Sequence, residues 1–189
     1  MNENVENNNV KAGRDFKKPA REFKRTEREK KLYEDKIIAL TKVTKVTKGG
    51  RNFRFSATVA VGDRKGKVGI GTGKSKEIPV AVSKAIKEAE KNIVQINLVD
   101  ERTISHEATG VVGAAKIMVR PTRAGRGIIS GGASRIVLEL AGVKDVVSKS
   151  LGSNTQINTA KATIKALQAQ RNVAHVASLR GKKVEEVLK

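Results

Sequence analysis

The sequence predicts an α+β protein: three strands with a helix packed across them, then a second unit of strands and helices. Three observations carry that reading. Apolar residues alternate at period two between Ile37 and Thr72, they switch to helical spacing around Pro79, and short extended runs separated by glycine-rich links follow beyond Val99. Phe53, Phe55, Ala57, Val59 and Val61 share one face of an extended segment and Arg54, Ser56, Thr58 and Ala60 the other, so one side is expected to pack and the other to be wet. Gly49-Gly50 and Gly62-Asp63-Arg64-Lys65-Gly66 are turn chemistry, which places strands near 37–46, 53–61 and 67–72 in a meander. In the helix that follows, Pro79 suits the first turn. Ile78, Val82, Ile86, Ala89 and Ile93 form its expected inner stripe, leaving Lys84, Lys87 and Lys91 outside. Later elements are strands near 104–112 and 115–120, a helix near 132–141 capped by Ser130 and ended by Gly142, a strand within 143–148 and a helix within 154–170. The resulting division is a flexible basic tail over 1–32, domains over 33–96 and 97–180, and a helical tail over 181–189.

Charge is the strongest compositional signal. The 189 residues include 39 Lys or Arg and 19 Asp or Glu, a formal net charge of +20. Half of that excess lies within 36–76. There Lys36, Lys42, Lys45, Lys48, Arg51, Arg54, Arg64, Lys65, Lys67, Lys74 and Lys76 face Asp63 as the only acid. A basic folded surface, rather than a basic tether on a neutral domain, implies shaped recognition of a polyanion, and the expected partner is nucleic acid. Absence of cysteine excludes disulfides, Cys-based zinc sites, iron-sulfur clusters and a Cys nucleophile. Scarce aromatics (four Phe, one Tyr, no Trp) argue against a surface that stacks many unpaired bases. No apolar run approaches the roughly 20 residues that span a bilayer, and the polar first ten residues do not read as a signal peptide, so a cytoplasmic location is expected.

Two motifs invite an enzymatic reading. Gly69-Ile70-Gly71-Thr72-Gly73-Lys74-Ser75 ends like a P-loop, but the position that must be glycine for the backbone to wrap a phosphate is Val68. A glycine-rich strand against which a backbone approaches closely is the alternative. His106 and His175 are the only histidines and stand far apart without an acidic cluster, so neither a metal site nor a catalytic base is expected. The stretch 108–138 contains no acid but holds Lys116, Arg120, Arg123, Arg126 and Arg135. Its glycines Gly125, Gly127, Gly131 and Gly132 stand beside a helix start suited to a phosphate or a partner's carboxylate. A nucleotide-handling enzyme and a free double-stranded-RNA or DNA binder are two of the functions this reading leaves open.

Two blocks, VTKGGRNFRFSATVAVGDRKGKVGIGTGKSKEIP (46–79) and GRGIISGGASRIVLELAGVKDVVSKSLGSN (125–154), resemble the signatures of bacterial small-subunit ribosomal protein five. The similarity runs from about Tyr33 to Leu188. It implies a first domain similar to a double-stranded-RNA-binding fold, although that fold's first helix is not evident here, and a second βαβ-type domain around a four-stranded sheet. It also implies a structural, non-catalytic component of the small subunit that touches 16S ribosomal RNA, lies beside ribosomal proteins four and eight, and sits near the pore through which messenger RNA enters. The roles implied are subunit assembly, messenger unwinding and decoding accuracy, with no cofactor, membrane or small-molecule substrate. The rRNA-binding residues expected on this basis and from charge are Lys42, Lys45, Lys48, Arg51, Arg54, Arg64, Lys65, Lys67, Lys74, Lys76, Arg120 and Arg123. Lys48, Gly49 and Gly50 match the loop associated with spectinomycin response. Gly127 and Arg135 match positions that contact protein four, and no acid lies between Glu107 and Glu139 in sequence to occupy Arg135. Asn154-Thr155-Gln156 departs from the Thr-Asn-Pro of many members at a helix start.

Overall fold

Strands β1 (Glu34–Thr47), β2 (Gly50–Gly62) and β3 (Lys67–Ser75) form the meander that alternation and turn chemistry predict. A short β4 (Val94–Gln95) pairs with the start of β3, so the first sheet has the order β1-β2-β3-β4. The computed structural model describes residues 33–187; the tail expected over 1–32 and the last two positions of the 181–189 segment lie outside the described residues.

Helix α1 (Ile78–Lys91) opens with Pro79 in its first turn, as the sequence predicts, and its buried face keeps Ala89 of the expected stripe but is rotated toward Ala81 and Ala85. Ala81, Ala85 and Ala89 are fully buried, Val82 and Ile86 flank them half-buried, and Ile78 is 40% exposed. The reason lies in β3. Gly69, Gly71 and Gly73 alternate beneath the helix, and a Cβ on any of them would overlap the α1 backbone at Ala89, Ala85 or Ala81. Small residues on both elements let a helix lie directly on a strand, so closeness of approach decides the inner face here, not hydrophobic bulk.

The inner half of β2 also departs from expectation. Ala57, Val59 and Val61 pack under α1, but Thr58 and Ala60 on the opposite face are buried too. Ala60, Val68 and Ile70 join a larger core with Leu138, Leu140, Ile164 and Leu167 from the second half of the chain. The face read as wet is where that half docks.

The second half contains β5 (Ala108–Val112), β6 (Ala115–Pro121), β7 (Ile128–Ile129), α2 (Gly132–Ala141), β8 (Val146–Ser150), α3 (Gln156–Gln168), α4 (Val173–Arg180) and α5 (Val184–Val187). Its sheet order is β5-β6-β8-β7, and β7 runs parallel to β8, so β7, α2 and β8 form a βαβ unit. With only two residues, β7 is too short for alternation to reveal. Gly110 of β5 repeats the β3 device, lying against the α3 backbone at Ala162 and Ala166. Gly131, not Ser130, is the N-cap of α2; the Ser130 hydroxyl is drawn across to Ser148 Oγ of β8, 2.5 Å away.

The two halves meet backbone to backbone. The last carbonyls of α2 have no partner within the helix. Leu140 O accepts from the Arg64 N–H at 3.0 Å and Ala141 O from the Gly66 N–H at 3.0 Å. Gly62 and Gly142 leave no room for a Cβ at this seam, and Gly142 ends α2 in the left-handed conformation at φ 86°. Gly71→Ala is expected to destabilise the protein by more than about 2 kcal/mol because it drives a methyl into the α1 backbone. Gly49→Ala, where a Cβ meets nothing within 4 Å, should shift the urea midpoint little; equal losses in the two variants would contradict this packing.

Candidate nucleic-acid interface

The β1–β2 hairpin is longer than the sheet it belongs to. β3 pairs with β2 only from Phe55 onward, so the outer part of the hairpin is a two-stranded ribbon, and residues 40–54 are all exposed. Its register places Lys42 opposite Phe55, Thr44 opposite Phe53 and Val46 opposite Arg51 on one face, with Val43 opposite Arg54 and Lys45 opposite Asn52 on the other. Lys42 and Arg51 therefore stand on one face of the ribbon and Lys45 and Arg54 on the other, with Lys48 at the tip. None of the five is in an ion pair among the described residues. Lys42 Nζ rests 4.0 Å from the centroid of the Phe53 ring, which holds the ammonium over an apolar support without neutralising it. At the tip, Thr47 Oγ1 donates to Gly50 O at 3.0 Å and Lys48-Gly49 make the two-residue turn. Only Gly50 of the glycine pair has positive φ, at 130°.

The other cations expected from sequence differ in what surrounds them. Lys67, Lys74 and Lys76 are exposed along and just beyond β3. Arg64 and Lys65 line a cleft of about 540 Å³ between the two sheets, together with Lys144, Asn97 and Asn172, and Glu101 is its one acid. Lys144 is distant in sequence from the dense segment, so only the seam reveals its membership. Several cations are already engaged. Arg64 pairs with Glu34 at 2.7 Å, Arg120 with Glu107 at 2.8 Å and Lys36 with Glu139 at 2.6 Å. Arg123 is exposed in the loop before β7.

Gly127 and Arg135 are also held from within. The Gly127 N–H donates to Oδ1 of Asp145 at 2.9 Å, and Asp145, almost wholly buried, has its other oxygen 3.2 Å from Arg102 Nε. That second contact is close enough for an ion pair but too poorly aligned for a hydrogen bond, since Nε has no hydrogen-bond partner. Arg135 Nε donates to Glu139 Oε1 at 3.1 Å, one helical turn on, which corrects the expectation that no carboxylate occupies it. Glu139, which bounds this acid-free stretch in sequence, becomes the nearest partner once the helix forms. The Lys36 ammonium first, then the Arg135 guanidinium, hold the Glu139 carboxyl below its ordinary value of 4.5.

The segment considered as a nucleotide loop is strand β3, its glycines filled by α1, with no room left for a phosphate. His106 is structural: Nδ1 bonds the Glu107 carbonyl at 2.8 Å and Nε2 accepts from the Arg171 N–H at 3.1 Å. Among the described residues no helix is long and apolar enough to cross a membrane.

The structure thus combines an α+β scaffold of two sheets with a projecting two-stranded ribbon whose cations are unpaired among the described residues. Residues 33–97 match the family model described as ribosomal protein S5, N-terminal domain, and residues 110–180 match that of ribosomal protein S5, C-terminal domain. The chain belongs to the ribosomal protein S5 family, a structural class of the small ribosomal subunit.

The bridge from Lys36 through Glu139 to Arg135 has a defined pH dependence. Because the folded carboxyl titrates below its unfolded value, its stabilisation is complete above the ordinary carboxylate range and is lost as pH falls through the depressed value. Glu139→Gln should cost about 1 kcal/mol at pH 7 and flatten the acid limb of a stability-against-pH curve; an unaltered limb would show that the bridge contributes nothing.

Proposed function

We propose that the chain binds 16S ribosomal RNA chiefly through the β1–β2 ribbon, stabilising one fold of the RNA in the body of the small subunit. The observation that supports this is the exposed ribbon itself, with Lys42, Lys45, Lys48, Arg51 and Arg54 distributed over both faces and the tip and no acid among residues 40–54. Cations on one face would suit a single helix lying alongside; cations on both suit insertion between RNA segments, with phosphates on either side. Lys67, Lys74, Lys76 and the Arg64, Lys65 and Lys144 cleft extend the footprint, and Arg120 and Arg123 supply a second basic area.

The family suggests the remaining partners. Lys48, Gly49 and Gly50, at the ribbon tip, are the proposed spectinomycin-response loop. Protein four is proposed to meet the surface around Gly127 and Arg135. Arg135 is 58% exposed and engages Glu139 through Nε alone, leaving its terminal nitrogens for an outside carboxylate. Contacts with protein eight and with messenger RNA at the pore belong to the same proposal, as do roles in assembly and decoding accuracy.

Salt dependence tests the central part. Replacing Lys42, Lys45, Arg51 and Arg54 with Ala should lower the slope of log affinity for 16S rRNA against log salt by somewhat less than one unit per lost phosphate contact. Arg120→Ala should lower it less, because Glu107 already offsets that charge. A slope unchanged in the quadruple ribbon variant would overturn the assignment.

A further inference from the structure

Helices α2 and α3 both begin at one cavity, and its lining is unlike the ribbon. A pocket of about 340 Å³ is lined by Gly131, Gly132, Ser148, Ser150, Gln156 and Thr159 with their neighbours, and no acidic or basic side chain lines it. The topology puts it there. β7 leads into α2 and β8 into α3, and β7 and β8 are parallel neighbours, so the carboxyl ends of both strands and the amino ends of both helices converge.

Three further observations concern what fills it. Neither helix has a side-chain cap or an acid in its first turn, so the first N–H groups of each are left open. Thr159, only 8% exposed, lines the cavity with a hydroxyl that has no hydrogen-bond partner, and the buried Ser150 hydroxyl beside it has none either. Buried hydroxyls without partners are rare because each costs its desolvation. Finally, a Cβ at Gly131 or Gly132 would meet nothing within 4 Å and neither glycine has positive φ, so the fold itself does not require glycine there. The missing side chains leave both backbones open to close approach from outside.

The geometry points to a phosphate site in this cavity, bound by the first N–H groups of α2 and α3 and by the hydroxyls of Thr159 and Ser150. Two helix amino ends of about half a positive charge each sum to about one, which matches a singly charged phosphodiester better than a dianionic phosphate. The ligand is therefore a phosphate of an RNA backbone, and only this choice of source rests on the RNA-binding reading above.

Backbone amide NMR on the full chain, at constant ionic strength, tests it with dimethyl phosphate and inorganic phosphate as probes. Dimethyl phosphate should shift the Gly132 and Gln156 amides saturably, and Thr159→Val should weaken that binding about tenfold while the rest of the spectrum is preserved. No saturable shift, or one untouched by Thr159→Val, overturns the site. Saturation by inorganic phosphate alone overturns the phosphodiester assignment in favour of free phosphate. In a complex with 16S rRNA, dimethyl phosphate should no longer move these amides. If it still does, the RNA phosphate is elsewhere, and the ribbon assignment stands or falls separately on its salt slope.

Discussion

The carboxyl end of α2 is completed by a turn from the other sheet, and most of the architecture depends on that contact. A helix that ends inside a protein must find partners for its last carbonyls, and here the Arg64 and Gly66 N–H groups supply them to Leu140 and Ala141. Such a seam demands close approach, hence Gly62 and Gly142, each at a point where a Cβ would strike backbone from the opposite half. Once the turn is seated, Ala60, Val68 and Ile70 are sealed against Leu138 and Leu140, and Lys36 comes within 2.6 Å of Glu139. The ribbon gains a rigid base.

The same economy of side chains recurs wherever a helix meets a sheet. Glycines on β3 face alanines on α1, and Gly110 on β5 faces Ala162 and Ala166 on α3. This explains why the sequence was legible in one respect and misleading in another. Alternation located β1, β2 and β3, and turn chemistry their connections, because both signals are local. Of the expected inner stripe of α1, Ala89 is buried and Val82 and Ile86 flank the core, but the stripe is centred on Ala81 and Ala85 instead, because periodicity weighs bulk rather than distance of approach. The glycines of the P-loop-like segment are plain in the sequence; their partners, alanines of the following helix, lie further along the chain and are visible only in three dimensions.

The candidate interface was legible in outline for a similar reason. Charge density is additive along sequence, so the 36–76 segment stood out before any fold was known. What sequence could not show is which cations are spent. Lys36, Arg64, Arg120 and Arg135 have partners in Glu139, Glu34 and Glu107, whereas the ribbon cations have none among the described residues. The cavity at the starts of α2 and α3 carries no charged side chain at all, so a reading led by charge passes over it. In the proposed scheme the ribbon attracts phosphate from a distance, and the cavity fits it only at contact.

If the seam at α2 governs the structure, the two sheets cannot unfold independently. Differential scanning calorimetry of the full chain then gives one transition for the folded part, with the calorimetric enthalpy equal to the van't Hoff enthalpy. Two resolved transitions, or a calorimetric enthalpy well above the van't Hoff value, would mean that each half holds its own core and that the shared backbone contact is incidental.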